Sequence, residues 1–278
     1  MRLNHNMYSL SIYKTYKGRI TDESKALNNI STGSRLNSAK DNPGKIGRNE
    51  TLKIQVLTND AASKNIQDTN SMLQTFDGAL QGINDNLNRM RELTVSAGSG
   101  ALTEEDKNNI KAEIESIKKD IDALAINTEF NGIKMTSPSE SPLNLNPTKI
   151  IKSAIGNMDD ENIGIPFFDA TPKNLGIEDL NMDDVDSSLE AIDNATQIVS
   201  KIRSKYGAIQ NRLEGTADYL SSKDINVQTT QSRIGDADIA EEMMNYSKNQ
   251  LLVNSSIGLM AQSNNFPKEC LNILGNVK

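Results

Sequence analysis

A seven-residue repeat of apolar side chains constrains this chain more than any other feature of its sequence. The repeat runs without a gap through Val185, Ile192, Val199, Tyr206, Leu213, Leu220, Val227 and Ile234. Two matching rows stand in the N-terminal half, namely Ile66, Leu73, Leu80 and Leu87, and Phe76, Ile83, Met90 and Ala97. A strict seven-residue period keeps a narrow stripe against a partner only if the helices supercoil. We therefore predict two long helices that pair antiparallel as a coiled-coil rod.

Both ends of the chain carry apolar faces that are broader than a two-helix seam requires. Glycine-rich breaks at residues 33–47 and 235–236 separate these terminal segments from the predicted rod. Within one chain each terminal helix has few partners, so much of its apolar stripe stays in contact with water. We expect other copies of the chain to cover these polymerisation faces, which consist of Leu3, Leu10, Tyr13, Ile20, Leu27, Met243, Tyr246, Val253, Ile257 and Met260.

The middle of the chain predicts a third helix followed by a small insert. Thr103–Asp106 (TEED) is typical of a capping box, and apolar residues follow it at intervals of three and four from Ile110 to Leu124. Asn131-Gly132 suits a tight hairpin turn, and β-branched residues recur between 150 and 165. The predicted fold is mainly α. A terminal helical domain takes residues 1–42 and 236–278, the coiled-coil rod takes 43–135 and 180–235, and an irregular or β-containing insert takes 136–179.

Composition and charge argue against several classes of function. The net charge is -7 without a basic face, which predicts no nucleic-acid partner. Apolar runs fall far short of the ~20 residues that span a bilayer. The polar start MRLNHNMYSL lacks the apolar core of a secretory signal, so if the protein leaves the cell, we expect export without a cleaved signal peptide. One histidine and one cysteine leave no metal cluster or nucleophile–base pair, so we expect no cofactor and no enzymatic activity. The acidic run at residues 183–186 is expected to stabilise a helix N-terminus.

Several segments near both ends carry distinctive motifs. They are ISTGSRLNSAKDNPG, LNRMRELTVS and EFNGIKM in the first half, and YGAIQNRLEGTADYL, SRIGDADIAEEMMNYSKNQLL and LMAQSNNFPKECLNIL in the second. Together these segments resemble bacterial flagellin. The resemblance covers roughly residues 1–135 and 180–278. It implies a subunit that self-assembles into the extracellular flagellar filament for swimming motility. The terminal helices would line an inner tube, the rod would form an outer tube, and the short central segment would face solvent.

The resemblance also implies partners and a recognition site. Partners would include other copies of the chain, an export chaperone, and cap and hook-junction proteins. Toll-like receptor 5 would recognise the monomer, with Arg89, Leu93 and Glu113 at the contact positions. An alternative for Leu93 is packing against the third helix, and an alternative for the whole surface is an ordinary solvated helix face.

Departures from the family pattern leave other functions open. Ser34 and Pro43-Gly44-Lys45 replace the usual residues at the junction after the first helix. They allow a minor flagellin as an alternative, and a hook-filament junction protein shares the same rod design. An enzyme carried on a flagellin scaffold and a cytosolic coiled-coil adaptor are more distant alternatives.

We predict that the isolated monomer keeps its rod ordered, whereas its terminal segments are poorly ordered until they associate with other copies. Limited proteolysis should then leave a fragment of about residues 45 to 235, because segments that fold on association stay open to cleavage. Mass spectrometry of the resistant fragment measures this. Termini that survive as long as the rod would contradict coupled folding.

Overall fold

The fold, seen in a computed structural model, is described for residues 6–99, 103–136, 146–156, 161–180 and 184–276. The helices are α1 (Met7–Thr32), α2 (Pro43–Ala97), α3 (Glu104–Asn127), α4 (Pro172–Leu175), α5 (Val185–Gly235) and α6 (Ile239–Asn276). The strands are β1 (Glu129–Phe130), β2 (Ile133–Lys134), β3 (Lys149–Ala154) and β4 (Asn162–Phe167). The chain forms two compact units, Met1–Ile54 with Asn226–Lys278, and Gln55–Ile225.

In the second unit, α2 and α5 pack antiparallel along the predicted seams. Two ion pairs fix the direction: Arg203 Nε lies 2.8 Å from Asp77 Oδ1, and Arg91 Nε lies 3.0 Å from Asp193 Oδ1. Every residue of the two predicted rows on α2 is buried, and so is the α5 row from 192 to 220. The seven-residue repeat therefore predicted the pairing correctly.

The beginnings of α3 and α5 follow from their sequence. The Asp106 N–H donates to the Thr103 hydroxyl and the Thr103 N–H donates to the Asp106 carboxylate, which completes the predicted capping box. At the start of α5 the Ser187 N–H donates to Asp184 Oδ1 at 3.2 Å. Asp184 thus stabilises this helix end as expected, while Asp183 lies outside the described residues.

Two small antiparallel sheets fill the predicted insert region and its N-terminal border. β1 and β2 form a hairpin around Asn131 (φ 50°) and Gly132 (φ 76°), and the two positive φ angles suit the two-residue turn that an Asn-Gly pair favours. β3 pairs with β4 in a register that places Ile151 opposite Ile165 and Ile150 opposite Pro166. The predicted hairpin turn at Asn131-Gly132 is therefore confirmed.

An aromatic cluster joins the insert to the helices. The ring centroids of Phe76 and Phe167 are 5.5 Å apart in an edge-to-face arrangement, and Tyr206 lies 6.5 Å from Phe76 and 6.0 Å from Phe168. One face of the insert therefore packs against the helices of the same unit. Alternation along β4 turns Ile163, Ile165 and Phe167 toward the helical core, where all three are buried.

Asn59 is a buried polar residue on the α2 seam. Asn59 stands seven residues before Ile66, is 2% exposed, and its two amide atoms have no hydrogen-bond partner within the described part of the chain. Asn at such a position costs stability, because a buried amide without partners has lost its bonds to water. The apolar seam of α2 therefore weakens toward this end.

In the first unit, α1 and α6 pack antiparallel, and short connections link them to α2 and α5. Gly33 ends α1 with a left-handed φ of 68°. The Arg35 N–H donates to the Gly235 carbonyl at 2.8 Å and the Ala237 N–H donates to the Gly33 carbonyl at 2.9 Å, so the two connections pair with each other. The unit also includes the start of α2, where the Asn49 side chain lies beside Gly235.

The predicted break at residues 33–47 is too long at its C-terminal end. α2 already begins at Pro43, so Gly44 and Gly47 are helical. The Lys45 N–H donates to Asn42 Oδ1 at 3.1 Å, and proline is well suited to a first helical turn, where its missing N–H costs nothing. Asn42 and Pro43 together start the helix despite the two glycines.

We predict that Tyr206 makes the protein sensitive to alkali. Burial raises the pKa of Tyr206 above its usual value. The contribution of the buried, protonated phenol to the free energy of unfolding is fully present below the unfolded pKa of about 10. It is lost as pH rises above that value, by up to about 1.4 kcal/mol per pH unit. Tyr206→Phe should show a shallower decline in unfolding free energy between about pH 10 and 11.5 by urea titration.

Tyr219→Phe is the matched control, because Tyr219 is 64% exposed on the same helix. The free energy of unfolding of this variant should decline with pH as that of the unchanged protein does. Equal slopes for Tyr206→Phe and the unchanged protein would show that burial of this phenol does not govern alkaline stability.

Candidate assembly and recognition surfaces

The predicted polymerisation face of α1 is largely exposed to solvent in the single chain. Leu10, Tyr13, Ile20 and Leu27 are between 40% and 53% exposed, although they lie on a helix that already has α6 as a partner. Leu3 lies outside the described residues. The antiparallel pair thus leaves a row of large apolar side chains uncovered along α1.

The predicted face of α6 is divided between exposed and half-buried side chains. Met243 and Ile257 are 48% and 50% exposed, whereas Tyr246, Val253 and Met260 are half-buried. The exposed pair lies fourteen residues apart, or two heptads, and so returns to nearly the same side of the helix. These two residues therefore form the most accessible part of the predicted face.

A second apolar row lies on α6 outside the predicted face. Its members are at least half exposed and are Met244, Leu251, Leu259 and Phe266. The signal was present in the adjacent pairs Met243-Met244 and Leu251-Leu252, because neighbouring residues of a helix point about 100° apart and cannot share one face. A helix that is apolar on several sides needs cover on several sides.

Arg89 and Glu113 form an exposed ion pair between α2 and α3. Arg89 Nη2 donates to Glu113 Oε1 at 2.9 Å and its Nε donates to the same oxygen at 3.2 Å, while Nη1 donates to Glu92 Oε2 at 3.1 Å. Hydrogen bonds to Glu113, and then to Glu92, hold the pKa of Arg89 above its usual value. The structure thus brings two of the three predicted receptor residues together on the surface.

Leu93, the third predicted receptor residue, is only 7% exposed and belongs to the hydrophobic core of the unit. A partner that docks on this surface would meet little of its side chain. Its burial supports the alternative of packing between helices. Arg89 and Glu113 are the members of the set that offer polar atoms to solvent.

Two other kinds of site find no support in the described ranges. No three His, Cys, Asp or Glu side chains there are grouped as metal ligands. None of the helices in those ranges has the length and apolar character needed to cross a bilayer.

Comparisons with known proteins agree with the two-ended pattern. The bacterial flagellin N-terminal helical region matches residues 3–140, and the bacterial flagellin C-terminal helical region matches residues 189–274. The flagellin of Bacillus subtilis is 33% identical over 99% of this chain and 100% of its own length. The flagellar filament 33 kDa core protein of Treponema phagedenis is 30% identical, with the same coverage of both chains.

Solved structures share the fold at lower identity. A structure from Vibrio parahaemolyticus assigned to a flagellar hook-associated protein covers 70% of this chain and 100% of its own, with a TM-score of 0.59 and 15% identity. Bacillus cereus FlgL covers 66% of this chain and 99% of its own, with a TM-score of 0.50 and 17% identity. At these identities the likeness concerns the fold alone.

The two family regions together cover most of the chain, and the Bacillus subtilis relative extends over nearly all of it. The chain therefore belongs to the bacterial flagellin family and is a structural subunit of an extracellular flagellar filament.

Proposed function

We propose that the chain polymerises through the exposed apolar faces of α1 and α6, and that the resulting filament serves swimming motility. The observation that carries the proposal is the double row on α6, because apolar side chains are exposed on more than one side of a helix that is already paired. Large exposed apolar patches usually mark interaction surfaces. Fully burying one Leu, Ile or Met side chain contributes about 1.5–3 kcal/mol, so several such residues per copy can drive assembly.

The filament role has consequences for location and partners. The subunit leaves the cell and meets an export chaperone, cap proteins and hook-junction proteins on its route. Nucleic acid binding, membrane insertion and catalysis have no part in this role. The family membership supports the extracellular position and the self-association.

The alternative of a hook-filament junction protein draws on the structural neighbours. Those neighbours are 15% and 17% identical, whereas the relatives described as flagellins or filament core proteins reach about 30% over the full length. This difference favours the filament subunit. A minor flagellin stays a second alternative, but the departures at Ser34 and Pro43 do not favour it. Ser34 Oγ donates to the Gly235 carbonyl at 3.0 Å, and Pro43 opens α2.

We predict that Met243→Asp or Ile257→Asp abolishes filament growth while the core of the second unit stays folded. Each change puts a carboxylate where assembly would bury a methyl or thioether group, at a cost of several kcal/mol unless the charge finds a partner. Negative-stain microscopy after seeding measures filament growth, and circular dichroism measures helix content.

Met243→Leu and Ile257→Val are the matched controls, because they keep an apolar side chain at each position. Both should polymerise. Normal filament yield from both aspartate variants would show that these side chains stay exposed to solvent after assembly.

We further propose that Toll-like receptor 5 recognises the monomer at the surface of Arg89 and Glu113, with Leu93 packed beneath them. An arginine fork can satisfy several acceptors while its stem packs, which suits the centre of an interface. Arg89 already faces two carboxylates, so a receptor would meet a charge held in place by Glu113 and Glu92. Pre-positioning of this kind lowers the entropy lost on binding.

We predict that Arg89→Ala and Glu113→Ala each reduce receptor activation by monomer about tenfold or more, which corresponds to about 1.4 kcal/mol. A reporter-cell assay measures this. Arg91→Ala is the control, because Arg91 is also exposed on α2 but pairs with Asp193 of α5 instead. A silent unchanged monomer, or alanine variants as potent as Arg91→Ala, would leave this surface an ordinary solvated face.

A further inference from the structure

Asn29 is a buried amide in the contact between α1 and α6. It is 5% exposed, and its Nδ2 donates to Glu242 Oε1 of α6 at 2.9 Å. Its Oδ1 accepts a hydrogen bond from Asn37 Nδ2, also at 2.9 Å. Asn29 therefore connects α1 both to α6 and to the segment that leads into α2.

The bonds of Asn29 define the alignment of the two helices in a way that apolar contacts do not. Apolar contacts are non-directional, so a helix pair could slide and exchange one set for another. A slide by one turn moves a side chain about 5.4 Å, which is beyond hydrogen-bond distance. After such a slide the hydrogen bond between the buried Asn29 amide and the Glu242 carboxylate would be broken. A buried polar group left without a hydrogen bond costs stability.

A second polar contact near the other end of the pair agrees with the same alignment. Asn6 Nδ2 donates to the Ser263 carbonyl at 2.8 Å and to Ser263 Oγ at 3.1 Å. Asn6 also caps α1, because its Oδ1 accepts from the Ser9 N–H at 3.1 Å. One slide would therefore break polar contacts at both ends of the pair.

Asn37 extends the network from the helix pair to the paired connections. Besides its bond to Asn29, Asn37 Nδ2 donates to the Ser34 carbonyl at 2.9 Å. The Ser34 hydroxyl in turn donates to Gly235, the last residue of α5. The alignment of α1 against α6 is thus tied by consecutive hydrogen bonds to the ends of α1 and α5.

We propose that Asn29 is a specificity-determining residue for self-assembly, because it fixes the register of α1 against α6 and so the relative positions of the apolar rows that a second copy meets. This inference rests on the proposed polymerisation through α1 and α6. The role resembles that of a single buried Asn in a coiled coil, which selects one register at some cost in stability.

The experiment measures elongation of seeds made from the unchanged protein, and amide hydrogen exchange of α1 and α6 in the free chain. Asn29→Asp places a carboxylate opposite Glu242 and removes the donor. We expect elongation to fall at least about tenfold, with faster exchange in both helices. Asn28→Asp adds the same charge at the adjacent, exposed position and should elongate normally.

The double variant Asn29→Asp with Glu242→Gln keeps the net charge and reverses one hydrogen bond. The amide introduced at position 242 can donate to the carboxylate introduced at position 29, which still accepts from Asn37. Elongation should therefore return to within about twofold of the unchanged protein. An apolar pair, Asn29→Leu with Glu242→Leu, should keep its helices yet elongate the seeds poorly. This last outcome separates register from stability.

Three results would overturn the proposal. They are normal elongation by Asn29→Asp, no recovery in the charge-conserving double variant, and normal elongation by the apolar pair. If the unchanged protein forms no filaments from which seeds can be made, polymerisation itself is refuted. The exchange data then still report whether Asn29 and Glu242 hold the helix pair in register.

Discussion

An antiparallel pair of helices can bury only the side chains along its line of contact. α1 and α6 carry large apolar residues well beyond that line, from Leu10 on α1 to Phe266 on α6. This mismatch cannot be relieved within the unit, because both helices already have each other as partner. Association with further copies would remove this surface from water, and on the proposal made above the filament follows from how the first unit is built.

The second unit meets the same constraint differently. Its long helices carry narrow seams, and α3 and the insert cover what the pair leaves open. The aromatic side chains Phe76, Phe167 and Tyr206 meet where α2, α5 and β4 converge. A chain with only 4% aromatic residues places several of them at this one contact. The second unit can therefore bury its core without neighbours.

Sequence periodicity predicted the parts of the fold that depend on local repeats. The seams, the capping box at Thr103 and the Asn-Gly hairpin all follow from short-range spacing. The burial of β4 did not, because alternation in Ile163, Ile165 and Phe167 shows that one face is covered but not by what. The second row on α6 was not predicted, because the predicted face is a single stripe of the helix. The bond from Asn29 to Glu242 joins residues 213 positions apart, and no local pattern predicts such a pairing.

Asn59 gives the α2–α5 pair an uneven strength along its length. The seam from Ile66 to Leu87 is apolar and buried, whereas Asn59 is buried with an amide unsatisfied within the described residues. A buried polar group without a hydrogen bond costs about 1–3 kcal/mol while the helices are packed, and this cost disappears when the helices part and water binds the amide. Thermal opening should therefore start at this end and stop where the large side chains begin. Local opening of the pair is therefore expected to be confined to the helical turns before Ile66.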